Sequence, residues 1–421
     1  MPYIDQYFAN LYDLINCLTR AVDLVTPKVS SHHQQVAYMA LNIADAMRIS
    51  VDQKRTLVLA ALLHDIGSLS LDDNMDFFEE EPLTINNHAF IGARLFSSSP
   101  IMKDVAEVIK FHHIPWNNGE GKSFKGEEVP LLSHILHLSD RVAIRVNRDE
   151  SVISQIRPIK EYTKSARNTV FEPELVDTFL DICDEEALWL DLVYRPTIFT
   201  GQNDLSLQSI NLTLDETVDF TKILSQIIDF RSRFTATHSA GVAAVALKLA
   251  ELSGFSEGEC KMMSIAGNLH DIGKLAIPRE ILEKTDALEP AEYDIIKSHT
   301  FYTYHLLAPI SKFESIAQWA AYHHEKLNGR GYPFHIKSDN LSLGARIMAV
   351  ADIFTAITED RPYRKGMPKE RAETVLGHMV ENKSISQSIV SLLVDNYAII
   401  SCLRKESEDR AAAEYSKIIS I

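Results

Sequence analysis

The chain has 421 residues, 46% of them hydrophobic, so two units of roughly 200 residues could each bury a real core. Its 58 acidic residues outnumber 42 basic ones, and the net charge of −16 argues against general binding to a nucleic-acid backbone: an anionic ligand would need a local group of cations or metals. Cys17, Cys183, Cys260 and Cys402 form no CxxC, the start Met1-Pro2-Tyr3-Ile4-Asp5 resembles no signal peptide, and no run approaches 18 apolar residues, so we expect a soluble cytoplasmic protein with neither polymeric nucleic acid nor membrane as partner.

The elements predicted in chain order are nearly all helices, which makes the expected fold class all-α. The first half carries apolar-periodic stretches at 36–47, 57–63, 88–96, 105–111 and 131–146. A stripe of Val242, Val245, Ala246, Leu249 and Leu252 follows in the second half and stops at Gly254. The segment 262–269 then delivers His270 and Asp271 at its end. Pro290, flanked by Glu289 and Glu292, starts the helix of His299. The segment 316–322 leads to His323-His324, and 345–357 carries Asp352. Strand signals are weak throughout.

These elements repeat. Aligning His64-Asp65-Ile66-Gly67 with His270-Asp271-Ile272-Gly273 places His32 under His238, each 32 residues upstream of the histidine of its pair. His88 precedes His112-His113 by 24 residues, and His299 precedes His323-His324 by the same 24. Asp140 and Asp352 close the two series. Any one of these histidines alone reads as an ordinary half-buried residue, but the repetition at fixed spacing reads as internal duplication. We therefore expect two tandem domains, 1–200 and 201–421, with the boundary near Pro196 to Asn203. Imidazoles and carboxylates gathered from five helices suit iron, manganese or zinc rather than calcium. His134 and His137, on the helix of Asp140, read as surface or core residues rather than ligands.

The second half resembles an HD-GYP domain of the HD phosphohydrolase superfamily. The resemblance rests on His238-Ser239, His270-Asp271-Ile272-Gly273-Lys274, His299, His323-His324-Glu325, Asn328-Gly329-Arg330-Gly331-Tyr332-Pro333, Asp352 and Arg361-Pro362-Tyr363-Arg364, all in order over residues 210–400. It implies a bacterial signalling hydrolase: a helical domain with bound metal, usually iron or manganese, with zinc, nickel and cobalt left open, that hydrolyses a cyclic dinucleotide. Cyclic di-GMP and 3',3'-cyclic GMP-AMP are the candidate substrates, and a homodimer stays open as an assembly.

Phosphodiester hydrolysis needs a strong nucleophile, in-line geometry and neutralisation of growing charge, and a two-metal site supplies all three. On this reading Asp271 bridges two divalent ions, His238, His270 and Asp352 hold one, and His299, His323 and His324 hold the other, with a metal-bridging hydroxide attacking phosphorus to give a linear dinucleotide. Lys274 would reach a phosphate oxygen. Arg361 and Arg364, spaced i to i+3, would face one way and grip a second phosphate, or else form a solvated helix end. Tyr332, in a lip of glycines, would touch ligand or merely pack. Trinuclear relatives hold a third ion partly through a Glu four residues before the first His; Phe234 stands there, with Arg233 and Thr235 beside it, so two ions are expected in this half.

The first half keeps a candidate for each ligand in His32, His64, Asp65, His88, His112, His113 and Asp140, a second candidate metal site. Ser68 replaces Lys274, residues 114–119 replace the GYP loop, and Asp149 and Val152 replace the arginines. A decayed copy kept as scaffold or sensor is one reading. A second phosphohydrolase site for the 5′-phosphate of a linear dinucleotide is the other. For the whole chain, a nucleotidase acting on mononucleotides and a non-catalytic cyclic-dinucleotide receptor remain as alternatives from other classes.

Overall fold

The computed structural model describes residues 8–24, 31–70, 86–194, 210–231, 237–361 and 364–419. The expected boundary stretch, Pro196 to Asn203, therefore lies outside the described residues, as do Arg233, Phe234, Thr235, Pro362 and Tyr363. The fold is all-α, as expected: the strands among the described residues are four of two residues each, paired β1 (Ala9–Asn10) with β4 (Asn211–Leu212) and β2 (Ser123–Phe124) with β3 (Glu127–Glu128). No described helix is long and apolar enough to cross a membrane.

The chain divides into two compact units, one of residues 26–209 and one of residues 1–25 with 210–420. The second unit thus includes α1 (Leu11–Asp23), which the expected division at 200 assigned to the first half. The physical reason lies in what its apolar face covers. Leu11, Leu14, Ile15 and Leu18 are fully buried, and α1 packs on the 3-10 turn Ile272–Ala276 and on the helix bearing His299.

In the first unit, α2 (His32–Ala46) packs against α3 (Val51–Leu63) and, across the bundle, α6 (Leu131–Ile144), while α4 (Asn86–Ser97) packs on α5 (Lys103–Lys110). The helices α7 (Val152–Ser165), α8 (Pro173–Ile182) and α9 (Glu186–Tyr194) complete it. In the second unit, α10 (Leu214–Phe230) precedes α11 (His238–Leu252), a helix rich in Ala and Val that lies against α12 (Glu257–Leu269), α16 (Leu343–Thr358) and α19 (Tyr397–Ile419). Its small side chains let neighbouring helices approach closely: a Cβ on Gly267 of α12 would meet the Ala243 backbone at 2.6 Å. The short α13 (Arg279–Leu282), then α14 (Pro290–Leu307), α15 (Glu314–Ala321), α17 (Lys369–Glu381) and α18 (Gln387–Asp395) complete this unit.

Local chemistry sets where these helices start. Ser256 and Glu259 form a capping box that begins α12 five residues before its apolar run, and Glu289 and Glu292 do the same for α14 with Pro290 in the first turn. Both boxes satisfy amide donors that the first helical turn leaves without partners.

Candidate functional site

Five elements of the second unit converge on Asp271. His238 opens α11, His270 caps the C-terminus of α12, His299 lies in mid-α14, His323 and His324 follow α15, and Asp352 lies on α16. A close approach fixes the geometry. A Cβ on Gly273 would lie 1.9 Å from the His299 carbonyl oxygen, so only glycine lets the turn after Asp271 rest on α14. Thr303 then ties the two together, its hydroxyl donating to the His270 carbonyl (3.0 Å) and accepting from the Gly273 amide (3.1 Å).

Three of the histidines are oriented in one way. His270, His299 and His323 each donate Nδ1–H to the carbonyl three residues back, Gly267 (2.8 Å), Ile296 (2.6 Å) and Ala320 (2.6 Å). A carbonyl only accepts, so the proton sits on Nδ1 and the Nε2 lone pair points inward. Burial holds His299 and His323 neutral, at about 3 and about 4. Their Nε2 atoms face each other at 3.2 Å, lone pair to lone pair. Such a pair repels unless a cation sits between the two nitrogens.

The ligand atoms fall into two groups, His238, His270 and Asp352, and His299, His323 and His324, each within 4.8 Å of one another. Asp271 touches both: its Oδ2 is 3.2 Å from His270 Nε2, and its Oδ1 is 3.5 Å from His299 Nε2. His270 Nε2 and Asp271 Oδ1 are buried without a hydrogen-bond partner. Orphaned buried polar atoms converging on one point, from imidazoles and carboxylates, fit a transition-metal ion.

Sequence reasoning missed Glu359. This buried carboxylate accepts from His238 Nδ1 at 3.0 Å, while His238 Nε2 lies 3.1 Å from Asp352 Oδ1. Burial would lower the His238 pKa, but the two carboxylates outweigh it and raise it to about 10. The field that would hold a proton there equally favours a cation. No motif marks Glu359. The nearest signal was a carboxylate at the C-terminal end of an apolar helix, beside an arginine.

That arginine is Arg361, and here the expected geometry is corrected. Arg361 and Arg364 do not share a helix face: they follow the end of α16 and bond each other's backbone, Arg361 N–H to Arg364 O (2.8 Å) and Arg364 N–H to Arg361 O (3.0 Å). The Arg361 Nε donates to Glu359 (2.7 Å), and a guanidinium nitrogen of Arg364 donates to the Ala356 carbonyl (2.6 Å). Helix-period spacing does not operate past a helix end. Lys274 donates to Asp271 Oδ2 at 2.5 Å, and its side chain is 24% exposed.

Tyr332 packs its ring 4.9 Å from that of His324, and Tyr293 of α14 meets Tyr332 edge-on at 6.4 Å. Burial, the Tyr293 contact and the site carboxylates raise the Tyr332 hydroxyl above its usual range. The lip itself hangs on buried Glu325, which accepts from the amides of Phe334 (2.7 Å) and Ile336 (3.0 Å).

The first unit gathers the corresponding set. Asp65, His88, His112 and His113 form one group, and His32, His64 and Asp140 another. His64 and His112 donate Nδ1–H to Ala61 O (2.8 Å) and Ile109 O (2.7 Å), and Gly67 meets the His88 carbonyl as Gly273 meets His299. The Arg141 guanidinium binds Asp140 Oδ2, whereas Ile353 follows Asp352 in the second half. His134 and His137 are buried core residues.

Two matches to HD-domain family models cover residues 29–145 and 222–386. The chain is 28% identical to 3'3'-cGAMP-specific phosphodiesterase 1 of Vibrio cholerae, over 93% of each protein. It is 32% identical to the third such phosphodiesterase of that organism, over 62% of this chain and 56% of the relative. A cyclic di-GMP phosphodiesterase of Pseudomonas aeruginosa is 36% identical over 32% of each. The crystal structure of the Vibrio cholerae cyclic GMP-AMP-specific phosphodiesterase V-cGAP3 superposes with a TM-score of 0.61 at 22% identity, covering 92% of this chain and 97% of that one, a likeness of fold.

Proposed function

This chain is a tandem HD-domain protein of the HD-GYP type, and from that premise we propose that its second half is a metal-dependent phosphodiesterase that opens a cyclic dinucleotide to its linear form. The observation that carries the reading is the pair of inward lone pairs on His299 and His323, 3.2 Å apart, beside an Asp271 that reaches both ligand groups. His238, His270 and Asp352 would hold one ion, His299, His323 and His324 the other, with Asp271 shared between them. Two ions, iron or manganese by preference, would supply Lewis-acid activation of water and neutralisation of the phosphate.

The protein's own groups orient and hold. The carbonyls of Gly267, Ile296 and Ala320 fix three imidazoles, Glu359 fixes a fourth, and Gly273 with Thr303 sets the distance between Asp271 and His299. Lys274 has three N–H donors and uses one on Asp271, which leaves two with which it would donate to a non-bridging phosphate oxygen. Arg361 supports His238 through Glu359 rather than gripping phosphate, a role that the Glu359 pairing favours.

The substrate we propose is 3',3'-cyclic GMP-AMP in preference to cyclic di-GMP. The support is the relative that matches 93% of this chain, whose name gives it that specificity. The first half we propose to be non-hydrolytic, because it has Ser68 where the second half has Lys274. The test is the purified full chain, loaded with manganese or iron and incubated separately with cyclic GMP-AMP, cyclic di-GMP and cyclic di-AMP, with products separated by chromatography. Ring opening fastest on the mixed dinucleotide is expected. Turnover of none of the three, with metal bound, would sink the reading in favour of a receptor or nucleotidase.

A further inference from the structure

The duplicated halves differ at the position directly after the first metal ligand. Ser239 follows His238 in the second half, and its hydroxyl donates to Asp229 at 2.8 Å. At the matching position the first half has His33, a buried imidazole that forms a group with His64 and Asp65, their ligand atoms within 4.8 Å of one another. Its ring centroid lies 5.3 Å from that of His64 and 5.6 Å from that of His32.

His64 belongs to this group and also to the group with His32 and Asp140. Its Nδ1 is committed to the Ala61 carbonyl, so it has one lone pair to give, at Nε2. One lone pair binds one ion, so a metal that both groups hold through His64 is a single ion. Two further contacts agree: His64 Nε2 is 3.1 Å from Asp65 Oδ2 and 3.6 Å from Asp140 Oδ1, and His32 Nε2 is 3.2 Å from that same Asp140 oxygen. The donors around it number five, His32, His33, His64, Asp65 and Asp140. The matching ion of the second half would be held by His238, His270, Asp271 and Asp352, and there Ser239, its hydroxyl on Asp229, stands where the first half has His33.

We propose that His33 is a ligand to a divalent transition-metal ion held by His32, His64, Asp65 and Asp140, and that it closes the coordination position that the second half leaves open, so that the first unit is a closed, non-hydrolytic metal centre. Structural sites are closed, while catalytic sites keep a position for water or substrate. Arg141 acts in the same direction, since its guanidinium occupies Asp140 Oδ2 and leaves Asp140 one oxygen to donate. The proposal needs no assumption about the substrate of the second half, and its readouts are separate from that activity.

The experiment uses the full chain loaded with cobalt(II), comparing wild type with His33→Ser, which installs the second half's own residue, with His33→Asn, and with His64→Asn as the control for metal in the first unit. Cobalt per chain, its release to a chelator, the d–d absorption spectrum and the thermal midpoint are measured. His33→Ser and His33→Asn should release first-unit cobalt at least roughly tenfold faster, the lower bound for losing even an outer partner of a metal site. They should also change the d–d spectrum and leave the rate of ring opening unaltered. An unchanged spectrum and release rate would overturn the proposal, as would a His64→Asn chain with undiminished cobalt. Loss of folding in both His33 variants, while metal-free wild type stays folded, would assign His33 to packing and overturn it as well.

Discussion

A hydrogen bond from one ring nitrogen orients the other as a ligand, and four of the five proposed ligand imidazoles of the second half have such a bond, in two ways. Three lean on a carbonyl three residues back, a local geometry available both at a helix end, as for His270 and His323, and within a helix, as for His299. His238 instead depends on Glu359, a residue 121 positions away. This second device was illegible in the sequence, because a carboxylate's partner is set by tertiary approach and no spacing announces it. Glu359→Gln should keep a hydrogen-bonding group of the same shape while removing the charge, and metal affinity at the His238 site should fall about 10- to 100-fold. Calorimetric titration with manganese checks this, and an unchanged affinity would reduce Glu359 to an anchor for Arg361. Lys274→Ala should leave metal content intact and lower turnover about 10²- to 10³-fold, the range for one donor aimed at developing charge. Loss of metal in that variant would show that Lys274 serves mainly to hold Asp271.

At the scale of elements, the apolar periodicity located the helices that carry ligands but placed their starts late. The segment predicted from 262 begins at Glu257, because Ser256 and Glu259 cap it with polar groups that a hydrophobic pattern does not register. The larger difference is α1. Its sequence places it with the first half, whereas its buried face packs on the 3-10 turn holding Lys274 and on α14. Which surface an amphipathic helix covers depends on what is left uncovered elsewhere, and that is a property of the whole fold. Burial of Leu11, Leu14, Ile15 and Leu18 is worth about 1.5–3 kcal/mol each as an upper estimate, together comparable to the roughly 5–15 kcal/mol that holds a domain folded. A chain beginning at residue 26 should therefore lose stability in its second half and release metal there. Thermal unfolding with metal analysis tests this, and a midpoint and metal content equal to those of the full chain would remove α1 from the catalytic unit.

For the molecule as a whole, duplication was the most legible feature, since equal spacings between histidines survive where the intervening residues have diverged. The two ligand sets follow from it, because each spacing places a residue at the same point of the same helix. What the spacing could not reveal is how each copy uses its ligands. That depends on neighbours: Ser68 against Lys274, Arg141 beside Asp140, and His33 against Ser239. These three differences all lead the first unit away from hydrolysis, by removing a phosphate donor, occupying a carboxylate oxygen and adding an imidazole. The consequence is a division of labour that a matched pair of substitutions tests. Asp271→Asn removes the carboxylate shared by both ligand groups of the second half, and an amide cannot serve as an anionic bridge, so metal there and all ring opening should be lost. Asp65→Asn makes the same change in the first unit, where a closed centre contributes binding free energy to folding. It should lower the thermal midpoint and the metal content while ring opening proceeds at the wild-type rate. Product analysis of both variants, with metal counted in each, decides the matter. Loss of ring opening in Asp65→Asn with the second half still folded and metal-loaded would show that the first unit takes part in the chemistry.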